Sequence, residues 1–126
     1  MGVPFVDLQS QQAEIAAEVE PAVLEVLRRC AFVGGPQVAC FEEEYAAYLG
    51  ASHCVGVASG TDAVELALRA VGVQPGGEVI MPANTFIATA EAASRIGAVP
   101  VPVDVDEQHL LIDPDAVASA DRKGVV

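Results

Sequence analysis

At 126 residues the chain has the length of one domain, and 52% of it is apolar, enough for a sizeable core built largely from Ala and Val. A formal charge of -12 argues against a basic face for nucleic acid and against an anionic membrane surface, because both need clustered Lys and Arg. Cys30, Cys40 and Cys54 are odd in number and have no metal-type spacing, so they read as reduced, mostly buried thiols of a cytoplasmic protein.

The first residues lack a basic stretch followed by an apolar one, so they do not read as a secretory signal, and no apolar run approaches bilayer-spanning length. Pro4-Phe5-Val6-Asp7-Leu8 is a short apolar opening segment. From about Gln9 to Arg29, Ile15, Val19, Val23, Val26 and Leu27 recur at helical spacing, and Pro21 within that run predicts a kink or two helices. Phe32-Val33-Gly34-Gly35-Pro36 is a breaker loop. Gln37 to Leu49 reads as a second helix with Phe41, Tyr45 and Tyr48 on one face, Glu42, Glu43 and Glu44 as a solvated face, and Gly50 as its stop.

A strand is expected at about His53–Val57, followed by the small-residue turn Ala58-Ser59-Gly60 and a helix from Asp62 to Val71 that stops at Gly72. Small residues let a ligand approach the backbone. Ser59 and Thr61 add hydroxyls beside the free N–H groups and partial positive charge of a helix start. This suits a phosphate group. The plainer reading is a capped turn, with Asp62 or Thr61 as N-cap and Asp62-x-x-Glu65 as a capping box. Gln74-Pro75-Gly76-Gly77 is a turn, and Glu78-Val79-Ile80-Met81 is a buried strand closed by Pro82. Ala83-Asn84-Thr85 leads to a helix from about Phe86 to Ile96, stopped by Gly97. Val99 to Val105 is a third strand, with Pro100 and Pro102 pushing its early part toward an edge or a bulge. Asp113-Pro114 opens a last short helix, and Gly124-Val125-Val126 resembles the start of another strand. The β-α-β-α-β order after residue 50 predicts an α/β fold with a largely parallel sheet and a ligand at the loops Ala58–Asp62 and Pro82–Phe86. Asp104, Asp106, Glu107 and His109 have no recognised metal-ligand geometry.

Ser59-Gly60-Thr61-Asp62-Ala63, Pro82-Ala83-Asn84-Thr85-Phe86-Ile87-Ala88-Thr89 and Val103-Asp104-Val105-Asp106 together resemble the DegT/StrS-type nucleotide-sugar aminotransferases. Pro4–Leu8, Phe32–Pro36 and the Phe41–Tyr45 helix match in the same order, so the resemblance covers nearly the whole chain. It implies pyridoxal phosphate as cofactor and part of the large domain of the aspartate aminotransferase fold. In that frame residues 1–50 are an N-terminal helical segment and residues 51–126 the first part of the cofactor-binding α/β domain. Gly60 and Thr61 would hold the cofactor phosphate, Ser59 would adjoin it, and Phe86 would stack on the ring. Without the resemblance Phe86 reads as a core aromatic at a helix start.

The resemblance also implies a lysine that joins the cofactor covalently and an acid facing its pyridine nitrogen, both downstream of the matched segment. Lys123 is the one lysine here and does not match that position, and Asp104 and Asp106 match a strand-end motif that reads as structural. The chain is therefore expected to be the N-terminal, truncated part of a homodimeric enzyme, inactive by itself and without a catalytic residue of its own. Residues 120–126 match less well, as a shifted reading frame would produce. The intact enzyme would move an amino group from an amino acid to a keto-sugar nucleotide. A sugar dehydratase of the same family, with His in place of the lysine, and a non-catalytic remnant are the alternatives. A dinucleotide or triphosphate site is disfavoured, because no Gly-x-Gly-x-x-Gly or Gly-Lys-Ser/Thr follows a strand.

Overall fold

The computed structural model describes residue 3 and residues 5–121. Lys123, the Gly124–Val126 segment and Pro4 of the opening segment lie outside the described residues. The chain divides into two compact units, one ending at Gly56 and the other beginning at Val57.

The first unit holds α1 (Leu8–Arg29) and α2 (Pro36–Leu49). Asp7 caps α1, its carboxylate accepting the Ser10 N–H at 3.1 Å and the Ser10 hydroxyl at 2.7 Å. The expected interruption at Pro21 is not a break, because α1 runs through it as one helix. Proline removes one N–H and crowds one carbonyl, and the helical turns on either side carry the run across. α2 ends at Gly50, whose left-handed φ of 67° lets its N–H return to the last helical carbonyls. Phe41 and Tyr45 stack at 5.4 Å, and Tyr45 and Tyr48 at 6.3 Å, so the three rings do share a face. The acidic triplet is not wholly solvated: a Glu42 carboxylate oxygen accepts the Gly56 N–H at 2.7 Å.

That bond bears on the strand expected at His53–Val57. No strand forms there. An apolar run becomes a strand only by pairing, and among the described residues the sheet has two strands, neither of them this one. The Gly56 N–H goes to a side chain instead of a ladder. The thiols differ from expectation too: Cys30 and Cys40 are exposed and Cys54 is half-buried. Cys30 is the left-handed C-cap of α1, a position that faces water.

The second unit contains α3 (Gly60–Ala70), β1 (Glu78–Pro82), α4 (Ala88–Arg95), β2 (Val99–Val103) and α5 (Pro114–Ala120). β1 and β2 are parallel, with Glu78 opposite Val99 and Pro82 opposite Val103. The Val99 N–H donates to the Gly77 carbonyl, and the Val103 carbonyl accepts the Ala83 N–H, both at 2.8 Å. Backbone groups alternate sides along a strand, so Val99, Val101 and Val103 address β1 while Pro100 and Pro102 face the opposite edge. No N–H is needed on that edge, which is how β2 tolerates two prolines. Val105 leaves the strand and bridges to Ile112.

The core of this unit is Ala93, Ile96 and Ala98, with Leu68, Val73 and Val79 packed on it. Ala92 and Ala93 are fully buried, so small side chains let α4 lie close to the strands. Gly97 ends α4 with a φ of 78°, and a Cβ there would meet the Pro75 Cβ at 3.1 Å. Glycine answers both the backbone and the space. α5 begins as its sequence suggests, with Asp113 capping the Asp115 N–H at 2.9 Å and Pro114 in the first turn.

Candidate functional site

Of the two loops expected to frame a ligand, Pro82–Phe86 follows a paired strand and Ala58–Asp62 does not. The second is organised by α3 instead. Helix-forming Ala, Leu, Glu and Arg dominate α3, and its Leu68 anchors it to the core.

The cap is Ser59, not Asp62 or Thr61, and α3 starts at Gly60, two residues before the expected start. Ser59 has the extended backbone of an N-cap, with φ -156° and ψ 164°. Its Oγ accepts the Asp62 N–H at 3.1 Å and donates to the Asp62 carboxylate at 2.9 Å. Ser59 and Asp62 thus pair through the Ser59 hydroxyl at the helix start, where a capping box of Asp62 and Glu65 was expected. Glu65 serves elsewhere, accepting from Arg69 on its own helix at 3.0 Å.

This geometry sorts the three small residues by what each has left to offer. The Ser59 hydroxyl is engaged in both directions with Asp62. Gly60 and Thr61 occupy the first two helical positions, whose N–H groups have no acceptor within the helix. A Cβ built on Gly60 meets nothing within 4 Å, so the space beside the Gly60 backbone is open. Two outward N–H groups, a neighbouring hydroxyl on Thr61, and open space at a helix start fit the phosphate of a cofactor.

Phe86 lies in the turn before α4 and is 77% exposed, so it is not a core aromatic. Its carbonyl accepts the Thr89 N–H at 3.1 Å, and the Thr85 and Thr89 hydroxyls pair at 2.9 Å. These bonds fix the turn and leave the ring free. Ser59, Gly60 and Thr61 therefore form one constellation, and Phe86 stands on a separate loop of the same unit. Tertiary structure adds a group that the sequence does not reveal. Arg95, the last residue of α4, reaches α3 and places Nη1 3.1 Å from Asp62 Oδ1 and Nε 3.1 Å from Glu65 Oε2. The Glu65–Arg69 pair, by contrast, follows the local four-residue spacing of one helix.

The acidic segment after β2 is occupied by its own backbone. Asp104 accepts the Val105 N–H at 2.9 Å. The Asp106 carboxylate accepts N–H groups from His109 at 2.7 Å and from Gln108 and Leu111 at 3.1 Å. The His109 N–H and its companions hold the Asp106 carboxyl below the usual range. That loop is a folded turn, with Leu110 in the left-handed region.

The DegT/DnrJ/EryC1/StrS aminotransferase family model matches residues 13–123. The chain belongs to that family. Within this aminotransferase family it is 47% identical over 118 residues to a dTDP-3-amino-3,4,6-trideoxy-alpha-D-glucose transaminase of Streptomyces venezuelae, covering 94% of this chain and 31% of that protein. The crystal structure of S. venezuelae DesV in complex with a ketimine intermediate superposes with a TM-score of 0.87 at 46% identity, over 93% of this chain and 32% of that one. A Bacillus subtilis structure, NtdA with bound cofactor PMP, gives 0.80 at 39% identity, over 85% of this chain and 25% of that one. The chain thus spans about a third of the length of the curated relative from S. venezuelae. The α/β reading and the family resemblance hold. No helix among the described residues is long and apolar enough to cross a membrane.

Proposed function

We propose that this chain is the N-terminal part of a pyridoxal phosphate-dependent aminotransferase that moves an amino group from an amino acid to a keto-sugar nucleotide. The observation that carries the reading is the family match over residues 13–123, joined to an open helix start at the residues that the family resemblance assigns to the cofactor phosphate. The Streptomyces relative is a transaminase by name, which favours amino transfer over the dehydratase alternative. The parent enzyme acts as a homodimer in the cytoplasm.

In this reading the Gly60 and Thr61 N–H groups and the Thr61 hydroxyl bind the phosphate, Ser59 holds the turn, and Phe86 packs on the ring. Pyridoxal phosphate, when bound, supplies an aldehyde that carries the amino group and a ring that withdraws electrons. The residues present orient and anchor; none of them moves a proton. The covalent lysine and the acid opposite the pyridine nitrogen come from other parts of the parent enzyme.

The test is to titrate the 126-residue chain with pyridoxal phosphate and, separately, with pyridoxal. Charge-assisted hydrogen bonds to the phosphate should make the first bind about tenfold tighter or more. Thr61→Val should erode that preference, whereas Phe86→Ala should weaken both ligands alike. The chain alone should transfer no amino group to a keto-sugar nucleotide. Equal affinity for the two ligands would sink the phosphate assignment. Turnover abolished by Lys123→Ala would make Lys123 the catalytic residue.

A further inference from the structure

The first turn of α3 contains a contradiction for an anion. Its free N–H groups and helix dipole attract negative charge. Asp62 sits in that same turn, two residues from Gly60, and competes for the same field. One of its oxygens is taken by the Ser59 hydroxyl at 2.9 Å. The other is met by Arg95 Nη1 at 3.1 Å, from a helix 33 residues on. Arg95 also touches Glu65, which Arg69 already pairs, so two carboxylates face two guanidinium groups. Remove Arg95 and Asp62 is the group left without a cationic partner; Glu65 keeps Arg69.

We infer that Arg95 is a positioning residue for the cofactor phosphate: by neutralising Asp62 it lets a helix start that carries its own carboxylate accept a dianion. It acts through Asp62. The guanidinium also fixes the Asp62 carboxylate where it receives the Ser59 hydroxyl, so the cap and the charge balance share one contact. The inference rests on the phosphate assignment above, and it gives α4 two duties, carrying the Phe86 loop at one end and tuning α3 at the other.

The experiment measures affinity of the 126-residue chain for pyridoxal phosphate and for pyridoxal, by equilibrium titration at low and high salt, with far-ultraviolet circular dichroism to check the fold. Arg95→Met should weaken pyridoxal phosphate roughly fivefold, the modest size expected of a half-exposed charge, and leave pyridoxal unchanged. Arg95→Lys should restore most of the loss. Adding Asp62→Asn to Arg95→Met should also restore it, because no carboxylate remains to repel the phosphate; a purely structural link between α3 and α4 would not be repaired by removing its second half. Asp62→Asn alone keeps an oxygen for the Ser59 hydroxyl, so it should fold even where Arg95→Met does not. It should bind pyridoxal phosphate more tightly than the wild type, with a steeper salt dependence. Equal losses for both ligands in Arg95→Met, no loss, or an Asp62→Asn chain that binds no better would overturn the inference while leaving the phosphate assignment standing. A wild-type chain with no preference for the phosphorylated ligand would overturn both.

Discussion

Asp106 shows how one side chain can hold a loop and leave a signature in pH. Four groups converge on its carboxylate: the N–H groups of His109, Leu111 and Gln108, and the His109 ring. The His109 N–H is the strongest cause, and the group is held below its ordinary value of 3.8. A carboxyl whose pKa is depressed by folding stabilises the fold above its unfolded value and loses that contribution as pH falls through the lower, folded value. The melting temperature of the wild type should therefore decline in acid. Asp106→Asn should melt lower than the wild type at neutral pH, with a flatter decline below about pH 4, so that the two curves converge. Parallel curves would show that Asp106 does not carry the dependence. Asp7, held down by the Ser10 hydroxyl, titrates in both proteins and leaves a common residual slope. At this scale the sequence is half legible. Asp113-Pro114 announces its own cap, because both partners lie within a few residues. The choice between Ser59 and Asp62 as cap is not announced, since Ser, Thr and Asp all qualify and the extended backbone at Ser59 decides. Arg95 is silent for another reason: its partner lies 33 residues away, and no local rule connects them.

At the scale of elements, short-range rules located the helices and failed where pairing is required. The run at His53–Val57 has a strand's composition but no ladder partner among the described residues. Conversely, β2 is paired despite two prolines, since both point to its outer edge. Pro21 sets a direct test of how much α1 tolerates. A proline in a helix interior costs about 3 kcal/mol relative to alanine, through the lost N–H and the crowded carbonyl of Ala17. α1 retains it across a helix of 22 residues, with Asp7 at its start and the left-handed Cys30 at its end. Pro21→Ala should therefore raise helicity by far-ultraviolet circular dichroism and make the first unit more resistant to urea. An unchanged spectrum and urea midpoint would mean that the turn at Pro21 already contributes all the helix it can.

Over the whole molecule, the distribution of apolar surface predicts association. Among the described residues the buried apolar side chains are Ala46, Met81, Ala92, Ala93, Ile96, Ala98 and Val103, more than half of them alanine. Among the described residues of the first unit only Ala46 is buried, although α1 carries Ile15, Val19, Val23 and Leu27 at helical spacing. Every one of those four is exposed, as are Phe41, Tyr45 and Tyr48 on α2. An apolar stripe along a helix is ordinarily spent on a neighbour, and contiguous exposed patches mark contact surfaces or aggregation hazards. Burying a Leu, Ile or Phe side chain is worth about 1.5–3 kcal/mol, and covering several of these side chains at once sets that gain against the cost of holding two chains together. The net charge of -12 works in the other direction, by repelling like chains, and it is screened by salt. The chain should thus bind an apolar dye and sediment as more than a monomer, with the associated fraction rising with both protein and salt concentration. Replacing Val19 and Val23 together with Glu should lower the associated fraction and the dye signal. If the wild type instead sediments as a dye-negative monomer at every concentration and salt level, these faces are not contact surfaces of this chain.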